Sequence, residues 1–279
     1  MRNLNQYNIT QAVLARFAET PDPRLLEIMT SLVQHLHAFA REVSLTEEEW
    51  GKGIEFLTRT GQTCNDKRQE FILLSDVLGL STLLVAMNND RPEACSEATV
   101  FGPFYVEGAP KFELGDDISN GASGEPCVVS ASVRGIDGQP IANAKVNVWQ
   151  ADADGHYDVQ YEHLAEAQGR GQLRSGPNGE LFFRTVLPEA YPIPVDGPVG
   201  DLMAATKRHP WRPAHLHFMI EAGGFQTLIT HVFRDGDQWL DSDAVFGVRQ
   251  SLVAPWTRGE DGTWRLDYAF VMNPVERSE

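Results

Sequence analysis

In the first hundred residues, apolar positions recur at three- and four-residue intervals. From Arg24 the run RLLEIMTSLVQHLHAFA sets Leu25, Ile28, Met29, Leu32, Leu36 and Phe39 on one stripe, as in an amphipathic helix. Asp22 and Pro23 precede it as a capping residue and a first-turn proline. TEEEW at residues 46–50 has Glu49 three residues after Thr46, a capping-box pattern that opens a second helix toward Thr63. His35 and His37 are two apart on the first helix, a spacing that turns them away from each other and predicts surface positions. The most apolar stretch, FILLSDVLGLSTLLVAM at residues 71–87, is short for a membrane span and carries Asp76, which predicts a buried helix.

Past Pro92 the pattern changes. Residues 108–126, GAPKFELGDDISNGASGEP, are a connecting segment rich in Gly, Asp and Ser. Short β-rich runs follow, CVVSASVRG, AKVNVWQA, ELFFRTVLP, AHLHFMIEA, FQTLITHVF and TWRLDYAFVM, punctuated by Asp-Gly and Asn-Gly turns. The expected fold is mainly β, an antiparallel β-sandwich at 106–279 preceded by a helical region at 1–105.

At 279 residues the chain has room for one or two cored domains, and 42% hydrophobic with 22% charged residues is ordinary globular composition. A formal net charge of -16 with no Lys/Arg-rich run argues against nucleic acid or an anionic membrane as partner and favours a small molecule. Cys64, Cys95 and Cys127 show no CxxC spacing, so neither a disulfide framework nor a thiolate zinc site is indicated. With a start, MRNLNQYNIT, that lacks the apolar core of a signal peptide, this leads to the expectation of a cytoplasmic protein.

The chemistry starts at RPAHLHFMI, residues 212–220. Residues two apart on a strand share a face, so His215 and His217 present both imidazoles to one point, as a strand offers a metal two ligands. A lone histidine in an apolar run is otherwise a hydrogen-bonded core residue. NVWQADADGHYD runs from a strand into an Asp/Gly-rich turn ending at Tyr157, and VLPEAYPIPVDGP puts Tyr191 in a proline-rich loop after another strand. Loops at one end of a sandwich converge, so both tyrosines could meet the histidines; taken singly, each is a ring packed on the core with its hydroxyl at the rim.

Together, G-H-Y at 155–157, L-P-x-x-Y-P-I-P at 187–194 and R-P-A-H-L-H at 212–217 resemble the intradiol ring-cleaving dioxygenases of aromatic catabolism. FGPFYVEGAP, LITHVF and LDSDAVFGV resemble the hydroxyquinol-cleaving branch, and the likeness covers nearly the whole chain. It implies one Fe(III) per subunit held by Tyr157, Tyr191, His215 and His217, with Tyr191 leaving when substrate chelates and accepting a substrate proton. Phenolates favour a trivalent ion over zinc or Fe(II), and only a strongly acidic cation keeps two tyrosines ionised at neutral pH. The resemblance further implies that O2 attacks the bound substrate and opens the ring between its hydroxyl-bearing carbons. Arg212 corresponds to an arginine near the substrate ring, suited to stabilise developing negative charge; its bland alternative is a surface ion pair.

Leu73, Asp76, Val100, Phe101, Gly102, Pro103, Phe104, Pro192, Ile193 and Val245 match positions that line the family's substrate site, although the apolar ones could be plain core. Asp76 needs a partner if buried, a substrate hydroxyl, a helix N-terminus or a backbone amide. The resemblance also implies a homodimer through the N-terminal helices, with room for a lipid there. The expected substrate is hydroxyquinol; catechol or chlorocatechol is the alternative. Two more distant readings are a cupin-like metal protein, since HLHFMIE contains H-x-H-x-x-x-E ending at Glu221, and a non-catalytic binding module.

Overall fold

The computed structural model describes residues 2–66, 68–162 and 164–275. The chain divides into two compact units, Met1–Arg59 and Thr60–Glu279. In the first, α1 (Ile9–Phe17) packs on α2 (Pro23–Glu42), and α3 (Glu47–Thr63) begins. Both predicted starts form. Asp22 Oδ1 accepts hydrogen bonds from the Arg24 and Leu25 amides at 2.8 and 3.2 Å. The Glu49 amide donates to Thr46 Oγ1 at 3.2 Å while Glu49 Oε2 accepts from the Thr46 amide at 2.9 Å, the reciprocal box. His35 is exposed, but His37 is not a free surface residue: its Nδ1 lies 3.0 Å from Thr10 Oγ1 on α1. The α2 stripe of Leu25, Ile28, Leu32, Leu36 and Phe39 remains about half exposed, and Trp50, Ile54 and Leu57 on α3 are similarly open.

The second unit holds α4 (Glu70–Val77), α5 (Leu80–Asn88) and α6 (Pro198–Ala205) with strands β1 (Pro126–Gly135), β2 (Lys145–Gln150), β3 (Arg170–Arg174), β4 (Glu180–Val186), β5 (Tyr191–Pro192), β6 (Trp211–Arg212), β7 (His215–Glu221), β8 (Leu228–Arg234), β9 (Val253–Ala254), β10 (Trp256–Arg258) and β11 (Trp264–Met272). A four-stranded sheet, β10-β11-β1-β4, and a five-stranded sheet, β3-β2-β7-β8-β9, enclose one core, and β5 pairs with β6 alone. Alternation assigns each sheet one inner face. Val129, Val133, Phe183, Leu266 and Phe270 come from the first sheet and meet Val146, Val148, Leu216, Phe218, Ile220 and Val232 from the second, all essentially inaccessible to solvent. Two pairings, β1 with β11 and β8 with β9, are parallel, a property that apolar alternation does not encode.

The apolar run at 71–87 is not one buried helix. It breaks at Gly79, whose φ of 75° is left-handed, into α4 and α5, bent by 78°. Phe71, Ile72, Leu80, Leu83, Leu84 and Met87 are about half exposed or more, while α4 buries Glu70, Asp76 and Val77. Among the described residues no single helix is long and apolar enough to cross a membrane, and only this bent pair reaches that length and composition together.

Glu70, fully buried, fixes α4 against α6. Its Oε1 accepts from the Val199 amide in the first turn of α6 at 3.1 Å, and its Oε2 accepts from Arg68 Nε at 2.9 Å. Removing it leaves the Val199 amide without its acceptor and the Arg68 guanidinium with Asp196 alone, 2.8 Å from NH1. Glu70→Ala is therefore expected to destabilise the fold by about 3 kcal/mol, read as a lower urea midpoint at unchanged slope.

Candidate metal and active site

Because Leu216, Phe218 and Ile220 of β7 occupy the sandwich interior, His215 and His217 lie on the opposite, outer face of the five-stranded sheet. The histidines are therefore buried from outside the sandwich, by loops. Register brings Trp149 of β2 and His231 of β8 beside His217 on that face. The Trp149 ring stacks on His217 at 4.7 Å and 18°. His215 Nε2 and His217 Nε2 stand 3.0 Å apart.

The tyrosines come over this face from two connections. After β2, Asp152 Oδ1 accepts from the Asp154 and His156 amides at 2.9 and 3.0 Å, closing the Asp/Gly turn. Gly155 then lies so close to the other connection that a Cβ would meet Ala190 O at 3.1 Å and Tyr191 Cβ at 3.2 Å, at a φ of 74° that other residues rarely adopt. Tyr157 follows, buried, with its hydroxyl 2.8 Å from His217 Nε2. Phe104 stacks on the Tyr157 ring at 4.2 Å and 20°. Tyr191 sits in β5, opposite Arg212 of β6. The two tyrosine rings are 5.3 Å apart and nearly perpendicular, at 87°.

Arg212 is 3% exposed, so it is no surface ion pair. Its Nε donates to Asp243 Oδ1 at 3.0 Å, and its NH1 reaches Tyr191 Oη at 3.2 Å and His215 Nε2 at 3.5 Å. Glu221, the carboxylate of the cupin-like alternative, instead pairs with Lys145 at 2.8 Å. Leu73, Asp76, Pro103 and Phe104 line a cavity of about 820 Å³ that runs past Tyr161 and Arg170. Ile193 and Val245 pack beside it with Val77, Val199 and Leu73. Val100 is buried, Phe101 packs on Trp149 at 5.8 Å, and a Cβ on Gly102 would come 3.2 Å from His217 Cε1. Pro192 is exposed and does not line the cavity.

The electrostatics favour neutral imidazoles. Burial, and then the Arg212 charge, hold His215 down to about 3, and burial, then His215 and Arg212, hold His217 well below its usual range. His215 Nδ1 lies 2.7 Å from the Pro213 carbonyl, so it carries the proton and Nε2 keeps a lone pair turned toward His217. Burial and the neighbouring Tyr191 push the Tyr157 phenol well above its usual range, against Arg212 and Arg170. Burial likewise raises the Asp76 carboxyl, against the nearby Ser81 hydroxyl and the Arg212 charge. For Asp243, burial acts upward, but the Arg212 charge and hydrogen bonds, with the Gly247 amide, leave it below the usual carboxylate range. Two imidazole nitrogens and two phenol oxygens thus meet in a closed chamber where lone pairs face each other. This donor set fits a hard or borderline cation.

Three residues near the chamber have no role in the motif reading. His231 is fully buried with no hydrogen-bond partner on either ring nitrogen; LITHVF contains it, but only the β7–β8 register sets it beside His217. Arg170 donates to Asp158 Oδ2 at 2.7 Å and to the Phe104 carbonyl at 2.9 Å, bracing the turn after Tyr157 and the ring stacked on it. Its strand, RGQLR, has no apolar alternation to announce it. Asp243 is the third.

A family profile described as "Dioxygenase" matches residues 100–274, and one described as "Catechol dioxygenase N terminus" matches residues 22–96. The chain is 66% identical to the 6-chlorohydroxyquinol 1,2-dioxygenase of Cupriavidus pinatubonensis, over 99% of this chain and 100% of that one. It is 50% identical to the hydroxyquinol 1,2-dioxygenase of Nocardioides simplex, covering 97% and 96%. Among solved structures, the hydroxyquinol 1,2-dioxygenase of Pseudomonas putida DLL-E4 superposes with a TM-score of 0.92 at 43% identity, over 97% of this chain and 99% of that one. With the two family profiles matched in order along the chain and relatives at 66% and 50% identity over nearly its whole length, the chain belongs to the intradiol ring-cleavage dioxygenase family.

Proposed function

We propose that the protein cleaves hydroxyquinol, benzene-1,2,4-triol, with O2 between the two adjacent hydroxyl-bearing carbons, giving 3-hydroxy-cis,cis-muconate, the tautomer of maleylacetate. Both oxygen atoms enter the product, so no other reductant is consumed. The observation that carries the reading is the meeting of Tyr157, Tyr191, His215 and His217 in one buried cluster with Arg212 beside it. These four residues are assigned one Fe(III) per subunit. When bound, the ferric ion supplies the acidity that keeps the phenols ionised and activates a chelated diol toward O2.

The remaining work falls to the chain. Tyr191 Oη takes a proton from a substrate hydroxyl, which makes Tyr191 both ligand and base. Arg212 NH1, beside Tyr191 Oη, stabilises negative charge developing on the ring and the attacking oxygen. Leu73, Val100 to Phe104, Ile193 and Val245 form the apolar wall that excludes water. Asp76, on the cavity lining, accepts from the third ring hydroxyl. A chlorinated hydroxyquinol is the second reading, supported by the Cupriavidus relative. We assign the dimer contact to the helices within residues 1–105, supported by the open α2 and α3 stripe, with an acyl chain as a further occupant of that face. A cytoplasmic location is consistent with the free cysteines Cys64, Cys95 and Cys127.

Incubating iron-loaded protein with hydroxyquinol, its 6-chloro derivative and catechol, and identifying the ring-opened products, tests the reading; equal kcat/KM for hydroxyquinol and catechol overturns the substrate assignment. Asp76→Leu is expected to lose activity on the triol by about a hundredfold or more while changing catechol turnover little. Tyr157→Phe and His217→Ala are each expected to lose iron or the visible tyrosinate band; full iron and an unchanged band in both would refute the ligand set. Light scattering is expected to give a dimer at micromolar concentration, and Leu32→Glu with Leu36→Glu a folded monomer; native mass spectrometry reports any lipid carried with the dimer.

A further inference from the structure

We propose that Asp243 is the positioning residue of Arg212, and that the same carboxylate ties the aim of the guanidinium to the pocket wall at Val245. The proposal rests on the reading of Arg212 as the group that stabilises charge in the reaction. Asp243 is 4% exposed and lies just after the turn at Leu240–Ser242. It meets Arg212 as a fork: Oδ1 accepts from Nε at 3.0 Å and Oδ2 from NH2 at 3.3 Å. That grip engages the Nε and NH2 edge, so NH1 is the end that remains to face Tyr191 Oη and His215 Nε2. The chain then wraps around the carboxylate. Oδ1 also accepts from the Val245 amide at 3.3 Å and Oδ2 from the Gly247 amide at 2.8 Å, with Phe246 between them at a φ of 59°.

Four donors on two oxygens leave the carboxylate one orientation, and a long side chain with several rotatable bonds is held through it. A guanidinium held only by Tyr191 and His215 would lose its direction whenever Tyr191 moved. Held by Asp243, NH1 stays in place through such a movement, while Val245 stays at a fixed distance from it. The pair is also neutral as a unit, so it adds direction without net charge to the chamber.

A double-mutant cycle distinguishes positioning from mere support of the fold. In iron-loaded protein, Asp243→Asn is expected to lower kcat on the order of a hundredfold, with KM and iron content little changed. Because NH1 donates to Tyr191 Oη, the visible band of the resting protein shifts as well. Combined with Arg212→Met, the substitution adds no further loss of kcat. Losses that multiply across the cycle, or an unchanged kcat and band in Asp243→Asn, overturn the proposal. A wild-type kcat in Arg212→Met alone would instead refute the underlying role of Arg212, and running the cycle on catechol separates both from an error in the substrate. If Asp243→Asn does not fold, Gly247→Ala tests the same grip without altering charge, since its Cβ would stand 3.0 Å from Arg212 NH2 and 3.1 Å from Asp243 Oδ2. It is expected to lower kcat and shift the band, and wild-type values for both would overturn the proposal.

Discussion

Strand β7 can give the sandwich only one of its two faces, and Leu216, Phe218 and Ile220 occupy it. His215 and His217 are thereby forced onto the other face, and a register slip of one residue would exchange the two sets and break core and site together. Everything else in the chamber is placed relative to that face. Trp149 and His231 arrive by strand pairing, and the tyrosines by the connections that cross above. The hydrophobic effect that closes the sandwich therefore also sets where the imidazoles point.

Covering that face takes water away from polar groups, and the chain compensates by local pairing. Arg212 lies against Asp243 and Arg170 against Asp158, both pairs buried, so each guanidinium brings its own counter-charge. The imidazoles are kept neutral by burial. What remains without a partner is a set of lone pairs, which suits a cation better than further protein atoms. In a chain of formal net charge -16, this local balance decides the chemistry more than the overall charge does.

The first unit answers to a different constraint. Helices α2 and α3 are well capped, so their existence follows from local rules, but both leave an apolar stripe open. Such a face costs solubility unless something covers it.

The helix starts at Asp22 and Thr46, the strands of β7 and β11 and the tyrosine–histidine motif were legible in the sequence, because each depends on spacing or capping within a few residues. The break at Gly79 was not, since a glycine inside an apolar run reads equally well as a tolerated helix residue. The parallel β1–β11 pair, the outward direction of the histidines and the contacts of His231, Arg170 and Asp243 were invisible for a related reason. Alternation says that two faces differ, but only packing of one sheet on the other says which is inside. A carboxylate such as Asp243 carries no mark of its partner, because Arg212 is 31 residues away and reaches it only when β6 and the loop before Val245 are folded together. Local chemistry fixed the elements and the residue types; the long-range burial of one sheet face decided which of those residues meet.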